Sequence, residues 1–563
     1  MEERRLLLAV ALSLLVLTAY SMLVSPPSPA PAPATPQPQA APGTALSPGT
    51  TEAPAPAATP AEASPARAAT PATPVVVDPR ERRVEVAAPE FTVAFTNRGA
   101  RLVSWTLARY RDARGAPEEM VPPAGAGVRP LDVETGVAET DAQLRDALYV
   151  PSAETLALQP GEPQSLRFDY ATRELEAHKT LTFRPSGLVE VRVVVKRAGR
   201  ELPSRVVWGP GIGNPSPEER EVQGYQEPAG VALTAAGVER HAAKGLSETG
   251  QSLAGVRWAG VESHYFAALF VAPGAPLGAA LRSQNVPGVA DEKPHTLPIV
   301  AVDATGGTPV ELFVGAKDHQ AMARLGHGLE RAVPVGDWIG PIVVPLMGLL
   351  RFVQDRVGNW GWSIVVLTVL INLAMAPFRH YSIVNGIKMA RLGPEMRQIQ
   401  DRYRKVPLMD PRRQQMQEEV GALYARHGMS MGSQMMVGCL PLLLTMPFLF
   451  AFYRVLTVSV DLRGASYLWI PDLAAKDPLF LTPVLMGVSM FVMQKMTPST
   501  LDPAQQRIMM LMPLMLAGMF LWAPAGLNLY WLTSNLWSIV QQAVSLRLLS
   551  PQAARERRDR KGR

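Results

Sequence analysis

The hydrophobic rhythm of the chain changes near residue 330. From Val75 to about Glu330, apolar and polar residues alternate over short runs punctuated by glycine and proline. In GLVEVRVVVKR, Val189, Val191, Val193 and Val195 fall on one face of a strand, and Glu190, Arg192 and Lys196 on the other. LRFDY and LTFRP are further short strands. A run of this length with turn residues throughout predicts an all-β domain, a β-sandwich over 75–330.

Beyond residue 337 the apolar positions gather into long blocks. Five of them, 361–378, 434–456, 479–496, 504–522 and 526–546, approach the length a bilayer requires, about 17–25 residues. They are expected to be transmembrane helices, with Pro377 ending the first and Pro441, Pro447, Pro483 and Pro513 breaking or ending others. Residues 337–357 are apolar but broken by Pro341 and Pro345 and run into Asp355 and Arg356, which fits an amphipathic helix lying on a membrane better than a span. The N-terminus reads MEERR and then an apolar stretch from Leu6 to Val24. No A-x-A site precedes Ser25, so 1–25 reads as a membrane anchor rather than a cleaved signal peptide. Residues 26–74 are Pro/Ala/Thr-rich with almost no large apolar side chain, an extended tether.

Composition alone misleads: 47% hydrophobic residues and a net charge of +6 resemble a soluble protein, because the average mixes two unlike halves. Charge distribution is more informative. Residues 379–432 carry ten Lys/Arg, the loop 457–478 only Arg463 and Lys476, and the tail 547–563 seven. By the positive-inside rule the first and last are cytoplasmic, and the β domain and loop 457–478 lie outside. With the anchor this predicts six spans and both termini inside. Segment 379–432 reads as a helical hairpin. Its first helix yields at Gly393-Pro394; the second has Asp410 as N-cap and Gly428 as its stop, with Met416, Val420, Leu423 and His427 on one stripe. Lys388, Arg391, Arg412 and Arg413 make it a candidate docking surface, the plainer alternative being a solvated linker. The tail either binds an acidic partner such as ribosomal RNA or serves only as a topology signal.

Polar residues inside apolar blocks are the candidate functional positions. Asn528, Trp531, Asn535, Ser538 and Gln542 recur at helical spacing in the last block, either facing a watery cavity or bonding between helices. Thr368, Asn372 and Arg379 share one face of the first. Twenty of the 24 methionines follow residue 345; Met486, Met490 and Met493 form a stripe that suits either an adaptable surface or core filling. The single Cys439 excludes an internal disulfide and reads as a small packing residue. His264 and His319 stand alone, and no carboxylate pair, His cluster or phosphate loop appears. This argues against a membrane enzyme, a proton pump or an ion-coupled transporter.

GCLPLLLTMPFLFAFYRVL (438–456), LWIPDLAAKDPLFLTPVLMGVSMFVMQKM (468–496) and FLWAPAGLNLYWLTSNLWSIVQQ (520–542) closely resemble the YidC-type membrane protein insertases of Gram-negative bacteria. The match is continuous over about 337–545, and FTNRGARLVSWTL (95–107) resembles the start of that family's periplasmic β domain. The resemblance implies an inner-membrane insertase and chaperone. Such a protein takes nascent membrane proteins from the ribosome, alone or with the Sec translocon, and passes them into the lipid bilayer. It needs no cofactor, metal or nucleotide. It implies a hydrated groove open to cytoplasm and lipid, with Thr368, Asn372, Arg379, Cys439, Asn528, Trp531 and Asn535 as groove residues. Substrate segments are then expected to slide along Met435, Met446, Met515 and Met519. The family carries an arginine five residues before the proline of the second span; Asn372 stands there instead, and Trp531 stands where tyrosine is usual. Arg379, about 10 Å along the helix from Asn372, is expected to supply part of the missing charge, or else to be an interfacial anchor. The competing readings are a transporter or channel with a solute-capturing β domain, for which a coupling residue is missing, and a structural tether.

Overall fold

The computed structural model describes residues 75–548 except 113, 124–126, 222–223, 288–294, 404–405, 407–409, 428–445 and 498–502. The expected anchor (1–25), tether (26–74) and most of the tail lie outside the described residues.

Val75 to Ala332 form three antiparallel sheets, save one parallel pairing between Arg83–Ala87 and Thr155–Ala157. A ten-stranded sheet runs from the edge strand Gly237–Ala242 through Phe266–Val271, Val310–Ala316, Val189–Arg197 and Gln164–Ala171. Two five-stranded sheets, one built on Arg101–Arg111 and one on His295–Asp303, complete the domain. Aromatic side chains tie the sheets together. Trp105 meets Trp208 edge-on at 6.3 Å, and Phe95 lies 5.7 Å from Phe168, so each sheet contributes to one interior. As the alternation requires, Val189, Val191, Val193 and Val195 are buried. Glu190 departs from its expected exposed face. It is buried because this strand is interior to the sheet, where Arg184 and Arg192 neutralise its carboxylate.

Short helices accompany the sheets, among them α1 (Ala138–Asp146) and α2 (His319–Leu325). Asp318 caps α2, accepting from the amides of Gln320 and Ala321 at 2.9 and 3.1 Å. Lys179 is wholly buried, and its ammonium donates to the carbonyls of Gly99, Ala100 and Leu131 at 3.2, 2.8 and 2.7 Å. Burial pulls its pKa down to about 7.

The rest is helical: α3 (Gly340–Val357), α4 (Trp360–Arg391), α5 (Gly393–Arg402), α6 (Arg412–Arg426), α7 (Met446–Val458), α8 (Leu481–Met496), α9 (Pro503–Met519) and α10 (Ala525–Leu548). Three expectations need correction. Pro377 does not end its helix: α4 continues fourteen residues beyond it, to Arg391, the ring costing only the bond that a backbone N–H at 377 would have donated to the Leu373 carbonyl. Segment 379–432 therefore holds the end of α4 and two further helices, not two helices in all. Pro345 and Pro513 likewise sit inside α3 and α9 without breaking them. The N-cap of α6 falls on Pro411, one residue later than expected, while the Asp410 carboxylate still accepts from the Arg412 amide at 2.9 Å.

α3 buries Val343, Leu346, Met347, Leu350 and Val353 and exposes Leu349 and Phe352, the ring of which stacks under Arg356. α5 and α6 pack through Met396, Ile399, Leu423 and Tyr424. Among the described residues, α4 is long and apolar enough to cross a membrane; α7, α8 and Met509–Trp522 are shorter apolar helices.

Candidate functional site

α10 lies against both α4 and α8 and carries polar side chains toward each. On the α4 side they fall at Ser534, Ser538, Gln541 and Ser545, a 4-3-4 spacing that keeps them on one face. Ser534 donates to Asn372 Oδ1 at 3.3 Å, and Gln541 Nε2 donates to the Ala376 carbonyl at 2.7 Å. The Arg379 guanidinium donates to the Ser538 hydroxyl, and His380 Nδ1 lies 3.1 Å from Ser545 Oγ. On the α8 side, Asn535 donates to Ser489 at 3.0 Å, and Gln542 to the Met496 carbonyl at 2.7 Å. A polar seam therefore runs down the joint of three otherwise apolar helices. An amide surrounded by hydrocarbon is costly unless paired, so helical spacing that pairs each one is what makes this sequence compatible with packing.

Asn372 is buried, with its Nδ2 donating to the Thr368 carbonyl at 2.8 Å. Its two partners are thus protein groups: one backbone carbonyl on its own helix and one hydroxyl on α10. Thr368 is buried one turn earlier, bonded to the Ile364 carbonyl at 2.6 Å. Arg379 is half-buried and turned inward to α10. Asn528 is wholly buried near the start of α10; its Nδ2 donates to the Phe520 carbonyl at 3.2 Å, and its Oδ1 has no partner. Trp531 is half-buried and packs edge-on against Phe520 at 4.9 Å. Three more enclosed polar atoms lack a partner toward the other end of the seam: Asn385 Nδ2, Trp537 Nε1 and Gln541 Oε1.

The structure thus joins Asn372 and Arg379 to α10, keeps Thr368 bonded within α4, and places Asn528, Trp531 and Asn535 along α10 itself. Cys439 and Met435 lie outside the described residues. Met446 is half-buried in the first described turn of α7, whereas Met515 and Met519 are exposed on α9 beside Leu511, Met512 and Leu514. Met486 and Met490 are buried and fill the core of the bundle. Lys388 and Arg391 are exposed in the last turns of α4, and Arg412 pairs with Asp410 at 2.8 Å; the side chain of Arg413 is outside the description. Ser534, Gln541 and Ser489 were not singled out from sequence. The 4-3-4 spacing on α10 was the available signal for the first two. A lone serine in an apolar block gave none for Ser489.

Residues 352–552 match the family described as 60Kd inner membrane protein, and residues 83–349 match the YidC periplasmic domain. The membrane protein insertase YidC of Geobacter sulfurreducens is 32% identical over 83% of this chain and 86% of its own length. That of Geobacter metallireducens is 32% identical over 96% of this chain and 98% of its own. A crystal structure of an active YidC insertase with its first transmembrane domain resolved covers 84% of this chain and 95% of its own, at 16% identity and a TM-score of 0.35. Two family matches that together run from residue 83 to 552, with relatives of this similarity over nearly the full length, establish the assignment: the chain belongs to the YidC family of membrane protein insertases.

Proposed function

We propose that this insertase moves the polar tails of nascent membrane proteins along the α4–α10 seam and releases their apolar segments sideways into lipid. The observation that carries this reading is Arg379, a cation turned inward from the far half of α4 onto Ser538 of α10. A charge held there can attract an acidic tail at the groove entrance. Asn372, two turns away, offers an amide in place of the family's arginine. Its partners are exchangeable, since hydrogen bonds between membrane helices average only about 0.6 kcal/mol. The unpartnered atoms of Asn528, Asn385, Trp537 and Gln541 provide further polar capacity for water or a passing backbone. Crossing intact hydrocarbon would leave a tail's backbone groups unpaired, and a polar seam shortens that dry path. Partition of the apolar segment into lipid supplies the driving free energy.

In this reading the chain has six spans with both termini cytoplasmic. The β domain lies outside, in the periplasm of a Gram-negative cell. Substrate segments slide between α7 and α9, the third and fifth spans, where Met446, Met515 and Met519 give a flexible apolar surface. The α5–α6 hairpin with Lys388, Arg391, Arg412 and Arg413 docks the ribosome, the basic tail assists, and the Sec translocon is a partner for larger substrates. A photo-crosslinker placed at Asn372 or Trp531 is expected to capture a ribosome-stalled nascent chain, while one at the lipid-facing Leu536 captures less. Equal capture at all three positions would remove the seam from the path.

A further inference from the structure

The loop between α7 and α8 touches more of the molecule than a connection needs to. Asn359, the N-cap of α4, donates to the Ser466 carbonyl at 3.0 Å, and Trp362 meets Tyr467 edge-on at 5.4 Å. Gly361 leaves no room for a side chain: a Cβ there would lie 2.1 Å from the Tyr467 ring. At the start of α10, the Ala525 and Gly526 amides donate to the Ala475 and Leu473 carbonyls at 2.7 and 2.8 Å. The loop therefore holds the first turns of α4 and α10, two of the three helices that line the polar seam.

The same loop is anchored to the β domain by two ion clusters. In the first, Asp461, 2% exposed at its side chain, takes Arg351 of α3 at 3.0 Å and Arg109 at 3.1 Å; Arg351 also reaches Asp318 at 2.8 Å. In the second, Arg463 enters the β domain, pairing with Glu118 at 2.7 Å and Glu219 at 3.0 Å. It also donates to the Arg111 carbonyl at 3.1 Å and lies 5.5 Å from the centre of the Phe266 ring. Glu118 is 1% exposed at its side chain. Buried pairs of this kind contribute little net stability, but loss of one partner strands a charge in a dry site, so they act as strict positional fasteners.

We propose that segment 459–477 is a latch: two ion clusters, built on the buried side chain of Asp461 and the largely buried one of Arg463, fasten it to the β domain and α3, so that displacement of the β domain is transmitted to the first turns of α4 and α10 and hence to the polar seam. A membrane bundle whose β domain were a passive appendage would not need Asp461 and Arg463 buried against residues more than a hundred positions away.

The test uses the full chain in native membrane vesicles and the rate at which a thiol reagent labels Leu462→Cys, a position buried between the clusters. The parent without that substitution sets the background. Arg463→Glu should raise labelling about a hundredfold or more, and Arg463→Glu combined with Glu118→Arg should bring it back to within about tenfold of the parent. Glu221→Lys, which breaks the exposed Lys476 pair, should change nothing. Insertion of a reporter substrate should fall in the single variant and recover in the double. Labelling reads the latch whether or not the chain inserts anything. Poor accumulation of Arg463→Glu with recovery in the double variant also supports the latch. If neither accumulates, Glu118→Gln, which leaves Arg463 with Glu219, should label about tenfold faster than the parent. Unchanged labelling in Arg463→Glu or Glu118→Gln, a double variant as fast as the single, or labelling that moves without any change in insertion, would each overturn the proposal.

Discussion

The β domain and the helical region solve burial in opposite senses. In the β domain, apolar side chains are inside and the exposed large ones are few: Val75, Val77, Val137 and Val150. In the helical region the outside is apolar. Leu536, Val540, Val544 and Leu548 make an exposed stripe on α10, Val484, Val488 and Phe491 another on α8, and Val366, Leu370 and Leu373 a third on α4. The inside of that region holds the polar seam, and it is the buried face of α10 that carries Asn528, Asn535 and Gln542. Water drives apolar groups inward in the first region. In lipid that drive is absent between helices, and packing and polar pairing decide which faces meet. The difference explains why one hydrophobic count over the whole chain describes neither half.

The sharpest way to break this comparison is truncation on either side of it. Phe168→Ala, in the β interior, should cost about 3–5 kcal/mol of stability, whereas Leu536→Ala, on the outer stripe of α10, should change it by no more than about 0.5 kcal/mol. Thermal unfolding of the full chain in detergent checks both; similar losses would mean that α10 is packed against protein on that face.

A smaller effect belongs to the seam. At an effective dielectric near 20, a unit charge about 10 Å away attracts another by roughly 1.7 kcal/mol. Arg379→Ala should therefore slow insertion of substrates with acidic tails by up to roughly 15-fold relative to neutral ones, and added salt should narrow the gap. Asn372→Leu should slow both kinds, because it removes an amide rather than a charge. Insertion kinetics that fall equally for the two tails in Arg379→Ala would make that residue an interfacial anchor and nothing more.

The smallest change is one of slope. Burial lowers Lys179 to about 7 against an ordinary value of 10.5, so between these limits the unfolded chain holds a proton that the folded chain does not. Its contribution to stability therefore rises with pH from about 7 toward 10.5, and the charged form is penalised throughout the acid side. Lys179→Met should flatten this part of the stability-versus-pH curve while leaving three carbonyls unpaired. An unaltered slope would show that another group sets it.

Much of this was legible along the chain. The valines of 189–195 are buried as their period-two spacing requires, because a strand has only two faces. Asn535 and Gln542 face inward as their helical spacing allows. What spacing left open was the partner. Asn372 was expected to face a hydrated groove, and in the structure its side chain meets Ser534 of α10 and the Thr368 carbonyl. Pro377 is a valid stop signal locally, yet α4 runs through it, because neighbouring helices can hold a helix that lacks one hydrogen bond.

By itself, then, the sequence determined the element types, the division into a sheet domain and a helical region, and the family. These follow from local period, block length and composition, which are properties of neighbouring residues. Only the tertiary structure decided that Arg463 pairs with Glu118 and Glu219, that Asp461 takes Arg351 and Arg109, and that Arg379 turns onto Ser538. Each of those pairs spans more than a hundred residues, and many carboxylates and hydroxyls could have served. Which one does is set by how the sheets and helices pack, since a buried charge takes the partner that the packing places within reach.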